Sequence, residues 1–463
     1  MERLVRNSEK ALFLLATAAR LLLVWMLVGI DASGIYTYEH GEIAENLLAG
    51  LGFSVRLLGT WGPTSQQAPL VPFMLAGCYW LLGVGTSAAI WLFLGIQCAQ
   101  GGLLAVGTRR LAARAGLDSR FAMLAGLCSA FFPPLVYSAS HVQVASTACL
   151  LLVWLIEAIM QLRDEPRPRN AIKAAVLMAL AVLTDPILVL TGAAATFCWI
   201  IFDRPATRIE IKKLMVAWSL LVMFSLMLIS PWLVRGYRVH GRPVFIKSTF
   251  GYAFWQGNNR LSVGTDKVMR ESVELKLGMN SNSLTELNDK LWDARHAAGC
   301  VDDIALTNFE KQELGQLPEL ERSENLYHRA LFELSRYPGR YLQLCLRRLR
   351  FFLWIDESNP KTGSLLYQIP QKIMMIAFGV SLIVLPTEIR RKLSPGILAF
   401  VLTTIFHSLT ITAPRFVLPW EPLMFVCIAG GLQRIIFQII RLFNFRYNDQ
   451  SFKSQLIRPA DLQ

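Results

Sequence analysis

Long apolar runs alternate with short polar ones along this chain, and many of the runs are as long as a bilayer is thick. A helix needs about 20 residues to cross roughly 30 Å of hydrocarbon. Residues 11–30, 88–107, 121–139, 143–161, 214–234, 366–386, 396–413 and 416–434 predict such crossings. Two shorter runs, 172–185 and 187–202, flank Asp185-Pro186 and predict a tight helical hairpin. Residues 69–85 are apolar too, but the run is short, opens with Pro69 and Pro72, and carries Tyr79 and Trp80. An interfacial or re-entrant helix fits such a segment. If it crosses, the count rises from about ten to eleven. The expected fold class is an all-α polytopic membrane protein with extracytoplasmic amphipathic helices and a mostly helical outer segment.

Composition agrees with this class. Hydrophobic residues make up 54% of the chain and charged residues 17%, whereas soluble domains are about a quarter charged. The net charge of +13 raises nucleic acid as a partner, but the placement of the basic residues argues against it. They fall between spans, at Arg109-Arg110 through Arg120, Arg163 through Arg169, Arg204 through Lys213, Arg390-Arg391-Lys392 and the tail from Arg434. That is the positive-inside pattern of loops kept in the cytoplasm, and it puts both termini inside. Residues 11–30 read as a signal anchor, because the run contains Arg20 and no small-residue cleavage site precedes Tyr36. Of the eight cysteines only Cys300 lies in a clearly polar segment. No disulfide framework, metal site or cofactor is expected from their spacing.

The threading divides the chain into four parts. Residues 1–235 form an N-terminal membrane module that includes an outer loop, 31–87. Residues 236–365 form an extracytoplasmic segment, 366–434 the last membrane helices, and 435–463 a cytoplasmic tail. The long outer segment holds Glu271, Glu274, Asn280, Asn282, Asp302 and Asp303. Toward its end, residues 325–332 predict a helix, and a further amphipathic stretch ends at Trp354. Arg347, Arg348 and Arg350 would give that stretch a basic face, suited to a membrane surface or to a plain connector.

Chemistry is concentrated at Tyr38-Glu39-His40-Gly41-Glu42-Ile43-Ala44-Glu45, directly after the first span. Glu39, Glu42 and Glu45 are three apart and share one side of a helix. A general base needs a carboxylate within hydrogen-bond reach of the attacking hydroxyl. Glu39 stands nearest the membrane, while Glu42 and Glu45 suit a solvated face. A phosphate-bearing substrate calls for cations on the same side. Arg235 and Arg238 follow Pro231-Trp232, Lys247 and Arg260 come next, and Arg415 stands between the last two spans. An arginine between apolar helices is costly unless paired, which marks Arg415 as a candidate. Arg235 and Arg238 also suit interfacial anchoring beside Trp232. Asn258, in Gln256-Gly257-Asn258-Asn259, can hydrogen-bond a sugar hydroxyl or simply make a turn. His141 suits a polar contact or a base, and Asp185-Pro186 suits a turn or cap.

These segments, taken in order, resemble the GT-C superfamily of membrane glycosyltransferases. The likeness is to the bacterial branch related to dolichyl-phosphate-mannose–protein mannosyltransferases and lipid A aminoarabinose transferases. Tyr38-Glu39 with Gly50-Leu51-Gly52-Phe53-Ser54 resembles the family's first outer-loop motif, and Gly62-Pro63-Thr64 with Pro69 and Pro72 its second. Phe132-Pro133-Pro134, Leu183-Thr184-Asp185-Pro186, Pro231-Trp232 with Arg235, Gly257-Asn258-Asn259 and Arg415-Phe416 follow in the family's order.

The resemblance implies a polyprenyl-phosphate-linked sugar donor and inverting transfer to an acceptor on the non-cytoplasmic face of the inner membrane. It implies Glu39 as the catalytic base, where relatives often carry Asp. Taken together with the residue patterns above, it makes Tyr38, Glu42, His141, Arg235, Lys247, Asn258 and Arg415 the expected substrate-binding positions. Relatives often carry an acid after the Pro-Pro segment, where this chain reads Ala145-Ser146-Thr147; His141 or Gln143 would stand in for it. Two other readings remain at this point: a transporter for lipid-linked sugars, and a catalytically silent membrane scaffold.

Overall fold

The computed structural model describes residues 2–202, 208–266 and 306–456. Glu271, Glu274, Asn280, Asn282, Cys300, Asp302 and Asp303 lie outside the described residues. The N-terminal part contains α1 (Glu2–Val28), α2 (Tyr38–Leu48), β1 (Ser54–Leu57), β2 (Thr60–Pro63), α3 (Leu70–Leu82) and α4 (Ser87–Ala115). It continues with α5 (Ser119–Phe131), α6 (Pro133–Ser138), α7 (Ala145–Asp164), α8 (Pro168–Val182), α9 (Val189–Phe202) and α10 (Arg208–His240). After these come α11 (Phe250–Asn258), α12 (Asn308–Gln316), α13 (Glu319–Arg336) and α14 (Pro338–Leu353). The chain closes with α15 (Leu365–Val384), α16 (Thr387–Leu409) and α17 (Glu421–Leu456).

Among the described residues, 7 helices are long and apolar enough to cross a membrane, and Leu70–Leu82, Ser119–Phe131 and Pro186–Ile201 are shorter apolar helices. The protein is an all-α polytopic membrane protein. The long helices leave apolar side chains exposed, among them Leu22, Trp25 and Met26 on α1 and Met223, Leu226 and Met227 on α10, as lipid-facing positions would be. At 13 residues, α3 reaches only about 20 Å, less than the hydrocarbon thickness.

The predicted span 121–139 is broken at Pro133-Pro134 into α5 and α6. Neither proline has an N–H, so the carbonyls of Ser129 and Ala130, four residues back, lose their helical donors. Arg20 replaces them: Nη2 donates to Ser129 O at 3.0 Å and Nη1 to Ala130 O at 2.8 Å. Its side chain fits against α4 because residue 101 is glycine; a Cβ there would meet Arg20 Nε at 2.1 Å. The cation expected to argue against a cleavable leader is thus a structural plug in a proline break.

The hairpin expected from 172–185 and 187–202 is not a paired unit. α8 packs on α7 and α10, while α9 packs chiefly on α16. Asp185 caps the short 3-10 turn between them, accepting from Ile187 N at 3.4 Å.

One end of the bundle carries ion pairs between helices: Glu9 with Arg109 and Arg110, and Glu157 with Arg114 and Lys173, at 2.7–2.9 Å. The other end is built from α2, the β1–β2 hairpin and α11–α14. β1 and β2 pair antiparallel, Ser54 opposite Pro63 and Leu57 opposite Thr60. Glu319, at the start of α13, joins this hairpin region to the later segment. Its carboxylate accepts from Thr64 Oγ1 at 2.6 Å, Ser65 N at 2.8 Å and Ser248 Oγ at 2.5 Å.

Arg348 departs from the basic face expected of its helix. It is fully buried, whereas Arg347 and Arg350 are exposed. Nε donates to Ser408 O at 2.7 Å, and Nη1 to Gly257 O at 2.9 Å and Asn258 Oδ1 at 3.1 Å. Ser408 and Gly257 lie in the last turns of α16 and α11, where helices leave carbonyls without partners. One guanidinium, with five donors in a planar fork, satisfies both ends together. Gly257 permits the approach, since a Cβ there would meet Thr410 O at 2.2 Å.

Candidate functional site

The carboxylate of Glu39 lies where the first loop, the turn before α11 and the turn before α17 converge. α2 starts at Tyr38, whose φ is +51°. A left-handed conformation is uncommon for a residue with a large side chain and costs about 1–3 kcal/mol. Gly41 makes the tight start possible, because a Cβ there would meet Thr37 Oγ1 at 1.9 Å. Among the described residues, no hydrogen bond or ion pair engages the Glu39 carboxylate, although its charge is within reach of Tyr38 and Lys247.

Lys247 arrives by a similar device. Ile246, immediately before it, has φ +59° and is fully buried, with its carbonyl accepting from Trp232 Nε1 at 2.9 Å. Lys247 Nζ is 3.4 Å from Gln67 Oε1. Burial holds the pKa of Lys247 below the usual lysine range, while Asp185 and Glu39 counteract that and Arg415 adds to it.

Arg415 sits in a short 3-10 turn, Pro414–Phe416, between α16 and α17. Nη1 donates to Asp266 Oδ2 at 3.0 Å. Its guanidinium lies over the Phe416 ring, 5.1 Å from the centroid, and it interacts electrostatically with Tyr38, His40 and Asp185. Asp266 is the partner that an arginine between two spans requires.

Tyr38 is hydrogen-bonded to Gln143. Burial raises its pKa, and the Arg415 charge partly offsets the rise. His40 is buried, and its Nδ1 has no hydrogen-bond partner among the described residues. Burial first, then the Lys247 and Arg415 charges, push its pKa down to about 3, so the ring is neutral. His141 stands one ring away from Tyr38. Its Nδ1 is 2.9 Å from Ser140 Oγ, and its ring lies 4.8 Å from that of Tyr137, which interacts with Tyr38.

The structure therefore brings together Tyr38, Glu39, Lys247 and Arg415, with His141 at the edge. The other three predicted positions are engaged elsewhere. Arg235 donates to Thr64 O at 2.5 Å, Ser65 Oγ at 3.1 Å and Phe53 O at 2.8 Å, and its guanidinium lies over the rings of Phe53 and Trp232. Its donors tie the first loop to the end of α10. Glu42 accepts from Arg56 N at 2.7 Å, fixing α2 to the hairpin. Asn258 is fully buried, donates to Phe254 O and Thr410 O, and accepts from Arg348. Among the described residues, no three His, Cys, Asp or Glu side chains are grouped to hold a metal ion.

No family model matches the chain, and no curated protein does. Solved structures do. The archaeal oligosaccharyltransferase AglB from Archaeoglobus fulgidus, in complex with an inhibitory peptide and a dolichol-phosphate, aligns at a TM-score of 0.51 and 11% identity over 98% of this chain. The apo form of the Archaeoglobus enzyme aligns at a TM-score of 0.55 and 12% identity over 96%. In each case this chain spans 52% of the other protein's length. ArnT from Cupriavidus metallidurans bound to undecaprenyl phosphate aligns at a TM-score of 0.40 and 16% identity, over 90% of this chain and 77% of that one.

The chain shares its fold with the membrane region of these oligosaccharyltransferase structures. Within that fold, sequence reading overlooked Asp266, His40 and Glu319. For Asp266 a signal existed, since an arginine between spans calls for a carboxylate. His40 and Glu319 carried none, because neither spacing nor composition distinguishes a buried histidine or a loop-binding glutamate from a solvated one.

Proposed function

We propose that the protein is an integral-membrane inverting glycosyltransferase, taking a sugar from a polyprenyl-phosphate donor on the non-cytoplasmic face of the inner membrane. The observation that carries this reading is the Glu39 carboxylate, unengaged by hydrogen bond or ion pair among the described residues, in a cluster with Lys247 and Arg415. The shared fold supports it, as does the dolichol-phosphate bound to the AglB structure.

In this reading Glu39 removes the proton from an acceptor hydroxyl as its oxygen attacks the anomeric carbon from the side opposite the phosphate. The bond between the anomeric carbon and the phosphate oxygen breaks, and its electron pair leaves with the polyprenyl phosphate. Lys247 and Arg415 stabilise the charge that grows on the leaving group. Cations fixed in a partly dehydrated site act without reorganising at the moment of reaction. Lys247 supplies a compact charge, and Arg415 a planar fork already oriented by Asp266. Tyr38 and His141 line the approach of the sugar.

The test is Glu39→Gln, which keeps the shape and removes the base. Transfer from a labelled polyprenyl-phosphate sugar should fall by about 10²–10⁴-fold while insertion and thermal unfolding stay unchanged. Full activity in that variant, or labelling that puts position 39 in the cytosol, rejects the assignment.

A further inference from the structure

Away from the Glu39 cluster, the segment after α10 carries a second concave surface. Trp255 of α11, Arg329 of α13 and Glu310 of α12 contribute to a cavity of about 530 Å³. That volume falls within the ~300–1,000 Å³ typical of small-ligand sites. Trp255 is nearly buried, whereas Phe332, also lining the cavity, is 60% exposed.

The polar groups are held in place. Arg329 Nε donates to Asn325 Oδ1 at 2.8 Å and Nη1 to Glu310 Oε1 at 2.9 Å. Glu310 is itself fixed by a capping box with Thr307 at the start of α12. Arg260 sits on a turn secured by Arg340, whose Nη2 donates to the carbonyls of Asn259, Arg260 and Ser262. Side chains already locked lose little entropy on binding, which favours a weakly interacting ligand.

Two guanidinium groups, Arg260 and Arg329, are matched by two carboxylates, Glu310 and Glu333, so the formal charges lining the wall cancel. A phosphorylated or acidic ligand gains nothing net from such a wall. A ligand with many hydroxyls gains from every part of it, since each hydroxyl both donates and accepts. Carboxylates accept those donors, guanidinium and amide N–H groups supply the complementary ones, and an exposed aromatic side chain packs against the C–H face of a pyranose ring.

We infer that this cavity, built by Phe332, Trp255 and the Glu310–Arg329–Asn325 array, binds a neutral oligosaccharide and holds the acceptor glycan. The role as acceptor site rests on the transferase reading above; sugar binding itself does not.

The experiment uses the full chain in lipid nanodiscs without donor. Maltotetraose, chitotetraose and mannotetraose are titrated by saturation-transfer NMR, with trigalacturonate as the acidic counterpart. At least one neutral probe should bind saturably, and trigalacturonate should bind at least about tenfold more weakly, about 1.4 kcal/mol. Phe332→Ala and Arg260→Ala, both at exposed positions, should each weaken the neutral probe by about fivefold or more, and together abolish it. Arg329→Lys, which keeps the charge but loses the fork, should also weaken it. Glu39→Gln should bind as the wild type does, so a failed transferase assignment leaves this result standing. No saturable binding of any neutral probe overturns the inference. So does binding that Phe332→Ala and Arg260→Ala leave unchanged, or a Phe332→Ala effect seen only as weaker association with phosphatidylglycerol vesicles.

Discussion

Tyr38 and Ile246 share a left-handed backbone, at φ +51° and +59°, and each stands directly before a charged member of the cluster, Glu39 and Lys247. Such backbone costs about 1–3 kcal/mol per residue and persists only where surrounding packing enforces it. Ile246 is fully buried, and the tight turn of Gly41 on Thr37 holds Tyr38. Two separate segments therefore accept strain at the step that turns a charge toward a common space.

Lys247 gives the reaction a distinctive pH dependence. Burial lowers its pKa, so the ammonium is lost at a lower pH than for an ordinary lysine. As pH rises through that lowered value, affinity for a phosphate-bearing donor falls. Stability moves the other way. Between the folded and unfolded pKa the unfolded chain holds the extra proton, so raising the pH through that window favours the fold. Donor KM should rise on the alkaline side while the unfolding temperature does not fall on account of this residue. Lys247→Arg should shift the KM limb upward by about a pH unit or more; an unshifted limb excludes Lys247 as its source.

Arg415 and Asp266 should behave as a coupled pair. Arg415→Ala is expected to raise the KM for donor more than that for acceptor. Asp266→Asn keeps the volume and removes the charge that orients Arg415, and should lower activity less. The Arg415 side chain is 40% exposed, so solvent screens the pair and the coupling energy should be about 1 kcal/mol in a double-mutant cycle. Additive effects would separate the two residues.

Glu319 touches none of the proposed reacting groups, yet three donors depend on it. Glu319→Ala leaves Thr64, Ser65 and Ser248 without their acceptor and should destabilise by about 2–3 kcal/mol. Limited proteolysis should then cut near residues 64–66, which the wild type protects. Unaltered protection would show that Arg235, His240 and the Ser248 N–H, which also bond to Thr64 or Ser65, hold the loop without Glu319.

Arg348→Met should be more damaging. It fills similar volume but leaves the carbonyls of Ser408 and Gly257 buried without donors, at about 3–5 kcal/mol. Loss of folded protein in detergent, read by thermal unfolding, is the expected outcome. A stable variant would mean that water replaces the guanidinium.

The long apolar helices and the charged segment after the first of them were legible in sequence because bilayer thickness sets the length of an apolar run, and a charge placed directly after one is conspicuous. Arg415 was legible for the same reason. What escaped depended on contacts between distant segments. Arg348 looked like a surface residue because periodicity counts a charge as solvated, although its donors go to Ser408 and Gly257. Arg235 looked free for phosphate because its acceptors, at Phe53, Thr64 and Ser65, lie some 170–182 positions away in the chain. Asp185 read as a cap, which it is, but its nearness to Lys247 has no local signature.

Arg20 and its acceptor at Ala130 are 110 positions apart, and that separation bears on biogenesis. A ribosome delivers the arginine to the translocon while the proline-broken stretch that receives it is still unmade. Until that stretch arrives, the first segment carries an unneutralised cation at the level of the acyl chains. Its residence in the bilayer becomes secure only when the fifth helix docks, so swapping Arg20 for leucine should speed early integration and leave the finished bundle with two unfilled carbonyls.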